Sequence, residues 1–251
     1  MPTTGLLRFL FLKPRIFDVL TVGIQLRDVG RRRRISDAYL IDEPNYKSVQ
    51  DYKAGVTQRN EITRTRRMEE LLRALVLANS DLKKEKLLLV GPRDAHEIIL
   101  AWLHGFSWKN ITGIDLYSTN PKIRPMNMED MTFENGTFDA IFMANTLAYA
   151  KDVHRCLSEC VRVLRPGGRL AFGATYVPGG GKYPGNRHSG NEIVKMLADL
   201  PVDIYFHKPI HKINALGKPQ TVHLFGVVKH DPDAPAHDRI DWKYLGSGKE
   251  T

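Results

Sequence analysis

Between Lys86 and Lys229 short apolar runs alternate with longer stretches of helical spacing, and that alternation restricts the chain to a parallel sheet with helices on both faces. Lys86-Leu87-Leu88-Leu89-Val90-Gly91 is a continuous apolar run closed by glycine, the pattern of a strand buried on both sides. A helix is predicted over 95–104, then strands over 111–115, 123–127 and 138–144. Helical spacing returns over 153–164 and is closed by Arg165-Pro166-Gly167-Gly168 ahead of a fifth strand at 169–174. Ser189-Gly190-Asn191-Glu192 has capping-box spacing before a helix over 193–200. Two last strands are expected at 203–207 and 221–228, where an antiparallel pair is one arrangement. An amphipathic helix carrying Met68, Leu71, Leu72, Leu75 and Val76 leads into this unit.

The expected fold is therefore α/β, a doubly wound sheet with an N-terminal extension. Residues 1–56 form the extension, 57–230 the α/β domain with its lead-in helix, and 231–251 a loose tail. The extension holds apolar stretches at 6–12 and 16–26, but Arg8, Lys13, Arg15 and Asp18 interrupt them, so no membrane-spanning helix is expected. It packs against the domain or a second subunit, giving a homo-oligomer, or it lies on a membrane surface with its arginines toward anionic lipid; packing is the commoner fate of such segments. The net charge of +9 is concentrated in Arg31 to Arg34 and in Arg59, Arg64, Arg66 and Arg67. A solvated surface accounts for those clusters as well as an anionic partner does. No RNA-binding motif or interleaving of aromatic and basic residues appears, so nucleic acid is not expected as a partner. Cys156 and Cys160 stand four apart on one helix with no second pair to complete a metal site, which fits reduced thiols in a cytoplasmic protein.

Two segments are more specific. Met131-Thr132-Phe133-Glu134-Asn135-Gly136-Thr137-Phe138-Asp139 precedes the fourth strand, and Arg162-Val163-Leu164-Arg165-Pro166-Gly167-Gly168 precedes the fifth. In order and separation they resemble the segments "LPF-(D/E)-(N/D)-x-(S/T)-FD" and "RVLKPGG" of the class I S-adenosylmethionine-dependent methyltransferases, in particular those of methyltransferase type 11. That resemblance implies the family's seven-stranded Rossmann-like sheet, S-adenosylmethionine as cofactor, and methyl transfer to an oxygen or nitrogen of a small molecule or saccharide.

The resemblance also carries site residues with it. The first turn is similar to the family's "(D/E)-x-G-x-G-x-G", with Gly91 in place of the first glycine, Arg93 of the second and Ala95 of the third, and Leu89 where the acid stands. Gly91 and Arg93 are thus expected at the cofactor. Asp115, a carboxylate ending the second strand, has the position of a partner for ribose hydroxyls, with Leu116 beside it. Asn127 stands where the family has an aspartate facing the adenine amino group, Met128 offers a backbone N–H to the ring, and Glu129 and Asp130 are the alternatives two and three residues on from Asn127. Asn145 follows the fourth strand. Tyr149 occupies a histidine position of the family and, with His188, is a candidate catalytic residue. Tyr176 to Gly190 is rich in glycine, and with Tyr183, Arg187 and His188 it forms either a lid over the acceptor or a passive connection. A non-catalytic binding or assembly module on the same fold is the competing reading.

Overall fold

Every residue of Leu87–Val90 is buried, and a strand covered on both faces belongs at the centre of a parallel sheet. It is β1. The computed structural model describes residues 34–35, 66–77, 81–92, 95–118, 120–144, 146–180, 183–213 and 217–233; the apolar N-terminal stretches, Arg93, Asn145 and the tail beyond 233 lie outside them. On one side β1 pairs in parallel with β2 (Ile111–Asp115), which pairs with β3 (Ile123–Pro125). On the other it pairs with β4 (Phe138–Met143), and β4 with β5 (Leu164–Tyr176). A hairpin of β6 (Val202–Ile213) and β7 (Pro219–Lys229) completes the sheet, with β7 antiparallel to both neighbours. The order β3-β2-β1-β4-β5-β7-β6 is that of the expected doubly wound, seven-stranded Rossmann-like sheet. Its connections reverse direction between β1 and β4, which makes the carboxyl end of that pair the place for a ligand.

The two-residue period of β1 divides the core. Leu87 and Leu89 point to one face, where they meet α1 (Arg66–Leu77) and α2 (Ala95–Leu103) through residues such as Leu71, Leu75 and Ile98. Leu88 and Val90 point to the other, toward α3 (Val153–Val163) and α4 (Gly190–Ala198), where Leu157, Cys160, Ile193 and Leu197 pack. The capping box at α4 forms as expected: Glu192 accepts a hydrogen bond from the Ser189 N–H at 2.7 Å, and the Glu192 N–H donates to the Ser189 hydroxyl.

Two boundaries differ from the expected ones. Strand pairing of β5 begins at Leu164, opposite Phe138, and resumes at Arg169 opposite Ala140, so Pro166-Gly167-Gly168 bulges out of the strand instead of separating it from the helix. The β6–β7 hairpin runs 12 and 11 residues, well beyond the expected spans. Its outer half continues because the His207 ring stacks on Phe225, with centroids 4.4 Å apart, while Phe206 and Ile210 pack against the α1 side of the core. Arg34–Ile35 of the extension pairs antiparallel with Tyr117–Ser118, just past the end of β2. No helix among the described residues is long and apolar enough to cross a membrane.

Tyr205, at a bulge of β6, lays its ring over Gly226 and brings its hydroxyl to 3.5 Å from the Ala74 carbonyl oxygen. Burial pushes the phenol up from 10.0 to about 12. The folded chain thus keeps this proton after the unfolded chain has lost it, so the stability tied to it is complete below pH 10 and is lost as pH climbs toward 12. The loss is at most about 1.4 kcal/mol per pH unit. Tyr205→Phe has no proton to lose, and urea titrations at about pH 9 and about pH 11 are expected to show a smaller drop in the variant than in the wild type.

Candidate active site at the carboxyl ends of β1 to β4

Four strand ends build one cleft. At the end of β1, Gly91 has φ 73°, in the left-handed region that glycine enters without a steric penalty. Its N–H donates to the Ile114 carbonyl at 2.7 Å, which ties the first turn to β2. Asp115 ends β2 and is only 7% exposed. Its carboxylate lines the base of the cleft. The chain after β3 is fixed by the Met126 N–H, which donates to the Asp115 carbonyl at 3.0 Å. Asn127 then turns the backbone: its side-chain oxygen accepts the Glu129 N–H at 3.0 Å. After β4, the Thr146 hydroxyl donates to the Val90 carbonyl at 3.0 Å and closes the fourth side.

The structure brings Gly91, Asp115, Leu116, Asn127 and Met128 to this cleft, together with Tyr149. Glu129 and Asp130 do not take the place of Asn127. The Glu129 carboxylate accepts the Lys151 N–H at 2.6 Å, so it braces the loop after β4, and Asp130 is exposed beside Arg155. His188 is placed apart from the cleft lining, next to the capping box of α4. Leu89 is 1% exposed in the core between the sheet and α1–α2, on the opposite face of the strand from Val90. Thr146 and Met126 line the cleft without having been singled out in the sequence; each is one residue from a position that was.

The segment expected as a lid or connection is seated on the cleft's rim. The short turn Leu147–Tyr149 packs against the turn Pro184–Arg187, with Gly185 so close to the Leu147 carbonyl that a side chain there would overlap it. Tyr149 and Tyr183 put their ring centroids 4.6 Å apart at 60°. One ring therefore belongs both to the cleft and to the contact that holds this segment down.

The two sequence motifs are structural. Arg162 on α3 donates to the carbonyls of Met131 and Phe133 at 2.7 and 2.8 Å and pairs with Glu159, whose carboxylate accepts the Met131 N–H. Asp139 accepts the Lys86 N–H at 2.7 Å and pairs with Arg165. These bonds hold the segment before β4 against α3.

Residues 96–172, from the start of α2 into β5, match the family model described as "Methyltransferase domain". The match takes in β2, β3, β4 and both motifs. Over that stretch the chain is similar to the methyltransferase-domain family. Solved methyltransferase structures share its fold. The N-methyltransferase NodS from Bradyrhizobium japonicum WM9, in complex with S-adenosylhomocysteine, is 16% identical, with 74% of this chain and 99% of that chain covered at a TM-score of 0.57. The 1,6-didemethyltoxoflavin-N1-methyltransferase of Burkholderia thailandensis, with 1,6-didemethyltoxoflavin and S-adenosylhomocysteine bound, is 15% identical over 80% of this chain and 96% of its own, with a TM-score of 0.56. The [4+2]-cyclase SpnF has the same fold, at 14% identity over 65% of this chain and 81% of its own, with a TM-score of 0.51. No curated protein matches this chain.

Proposed function

We propose that the chain binds S-adenosylmethionine in this cleft and transfers its methyl group to an oxygen or nitrogen of a small molecule or saccharide. The observation that carries the reading is the buried Asp115 carboxylate at the end of β2, set between the apolar walls of Ile114, Leu116 and Met126. Such a carboxylate accepts hydrogen bonds from two vicinal ribose hydroxyls, and the apolar walls suit a purine. The Asn127 side-chain oxygen, which accepts the Glu129 N–H, is an acceptor of the kind that fits the adenine amino group. S-adenosylmethionine, when bound, supplies a methyl group activated on a sulfonium. The chain's own residues then need mainly to align the acceptor and exclude water. Tyr149 and Tyr183 have the position for that alignment, and a tyrosine there need not be a strong base. The S-adenosylhomocysteine bound by NodS and by the toxoflavin N1-methyltransferase supports the same assignment. The pairing of Arg34–Ile35 with Tyr117–Ser118 favours an extension packed on the domain over one lying on a membrane.

The second reading, a binding module without methyl transfer, is favoured by Leu89, which leaves β1 without a carboxylate, and by the cyclase chemistry of SpnF on the same fold. Isothermal titration with S-adenosylhomocysteine tests the first reading, with an expected Kd on the order of micromolar. No heat of binding up to about 1 mM would leave the module reading in its place.

A further inference from the structure

We infer that this cleft selects its ligand by the nucleoside and gives little weight to an amino-acid tail, and that Thr146 sets this preference; the inference rests on the cofactor reading above. In a doubly wound fold the first strand-to-helix turn is where backbone approaches the ligand, and a glycine's bare α-carbon supplies the room. At Gly91 that room is taken. The hydroxyl and methyl of Thr146 occupy the position a Cβ would hold. They are held there by the hydrogen bond from the Thr146 hydroxyl to the Val90 carbonyl at 3.0 Å, with the Gly91 carbonyl at 3.4 Å. The Tyr149 N–H donates in turn to the Thr146 carbonyl at 2.9 Å, so the backbone that carries this threonine is itself pinned.

Charge points the same way. The strand position where the family has a carboxylate is Leu89, and its side chain faces the α1–α2 core. Asp115 is the one charged side chain lining the cleft among the described residues, and it stands on the nucleoside side. An α-ammonium and an α-carboxylate need partners that offset the loss of their hydration, whereas ribose hydroxyls and a purine ring need what Asp115, Asn127 and the apolar walls offer. The ligand class is thus 5′-thioether nucleosides, with the tail optional.

The test compares two probes, S-adenosylhomocysteine and the tail-less 5′-methylthioadenosine, by isothermal titration into the full chain. Their dissociation constants are expected to agree within roughly threefold. Thr146→Ala, which opens the space over Gly91, is expected to tighten S-adenosylhomocysteine roughly tenfold and leave 5′-methylthioadenosine unchanged. Thr146→Val keeps the bulk without the hydroxyl and is expected to bind both probes as the wild type does. A wild-type preference of roughly a hundredfold or more for S-adenosylhomocysteine would overturn the inference while upholding the cofactor reading. Equal affinities that Thr146→Ala leaves unchanged would overturn the role of Thr146. Binding of neither probe to the wild type would overturn the cofactor reading and this inference with it.

Discussion

Replacing Asp115 with alanine is expected to weaken S-adenosylhomocysteine binding by roughly two to three orders of magnitude. Hydrogen bonds to a charged acceptor contribute about 1.5–3 kcal/mol each, and two lost together correspond to a factor of roughly a hundred or more in Kd. On the proposed reading the carboxylate receives them, and main chain fixes the strand end that carries it: the Asp115 carbonyl accepts the Met126 N–H, and the neighbouring Ile114 carbonyl accepts the Gly91 N–H. Neither bond uses the side chain, so truncation removes the acceptor and leaves the strand end in place. Asp115→Asn keeps the shape but loses the charge and one acceptor, and an intermediate loss of about tenfold is expected. Titration calorimetry gives the affinities, and a melting temperature measured on each variant separates a lost site from a lost fold. Affinity unchanged in Asp115→Ala would mean that the ribose is held elsewhere.

The parts of this arrangement that could be read from sequence are those in which local chemistry dictates structure. A run such as Leu87–Val90 has one stable environment, the middle of a covered sheet, and the strand and helix alternation around it leaves few topologies. The segments around Phe138 and Leu164 were legible because Asp139, Arg162 and Arg165 satisfy backbone groups and one another at short range in space. Asp115 could be placed near the cleft by its position at a strand end, and Asn127 and Tyr149 by the motifs that the resemblance supplies. Thr146 could not. Its role comes from meeting Gly91 across the switch between β1 and β4, two loops some 55 residues apart, and nothing in either loop's composition announces that contact. The outer hairpin was missed for a related reason: Ile210 and His211 read as loop residues beyond the strand expected at 203–207, and the strand continues where Phe225, on the partner strand, gives the His207 ring a surface to stack on. Pro166-Gly167-Gly168 misled in the other direction, since the same residues that end a helix also make a bulge.

The largest expected effect on stability lies at the opposite end of the sheet from the cleft. Glu85, just before β1, and Arg169, in β5, form a buried pair: one guanidinium nitrogen donates to both carboxylate oxygens at 2.7 and 2.9 Å, and the two side chains are 7% and 8% exposed. Since β4 runs between β1 and β5, the pair bridges across a strand and fixes the spacing of the sheet's centre. Arg169→Ala leaves the Glu85 carboxylate buried without its guanidinium, and the expected loss is about 3–5 kcal/mol in urea denaturation. Glu85→Leu is expected to cost a similar amount by stranding the arginine. The double variant Glu85→Leu/Arg169→Met should recover much of that, because two apolar side chains in a buried site have no desolvation to offset. A double variant as unstable as the sum of the single ones would show that the two side chains act independently. Because the bridge stands away from the carboxyl ends of the strands, the folded fraction of each variant is expected to bind S-adenosylhomocysteine with wild-type affinity, a result that separates what holds this sheet together from what the cleft recognises.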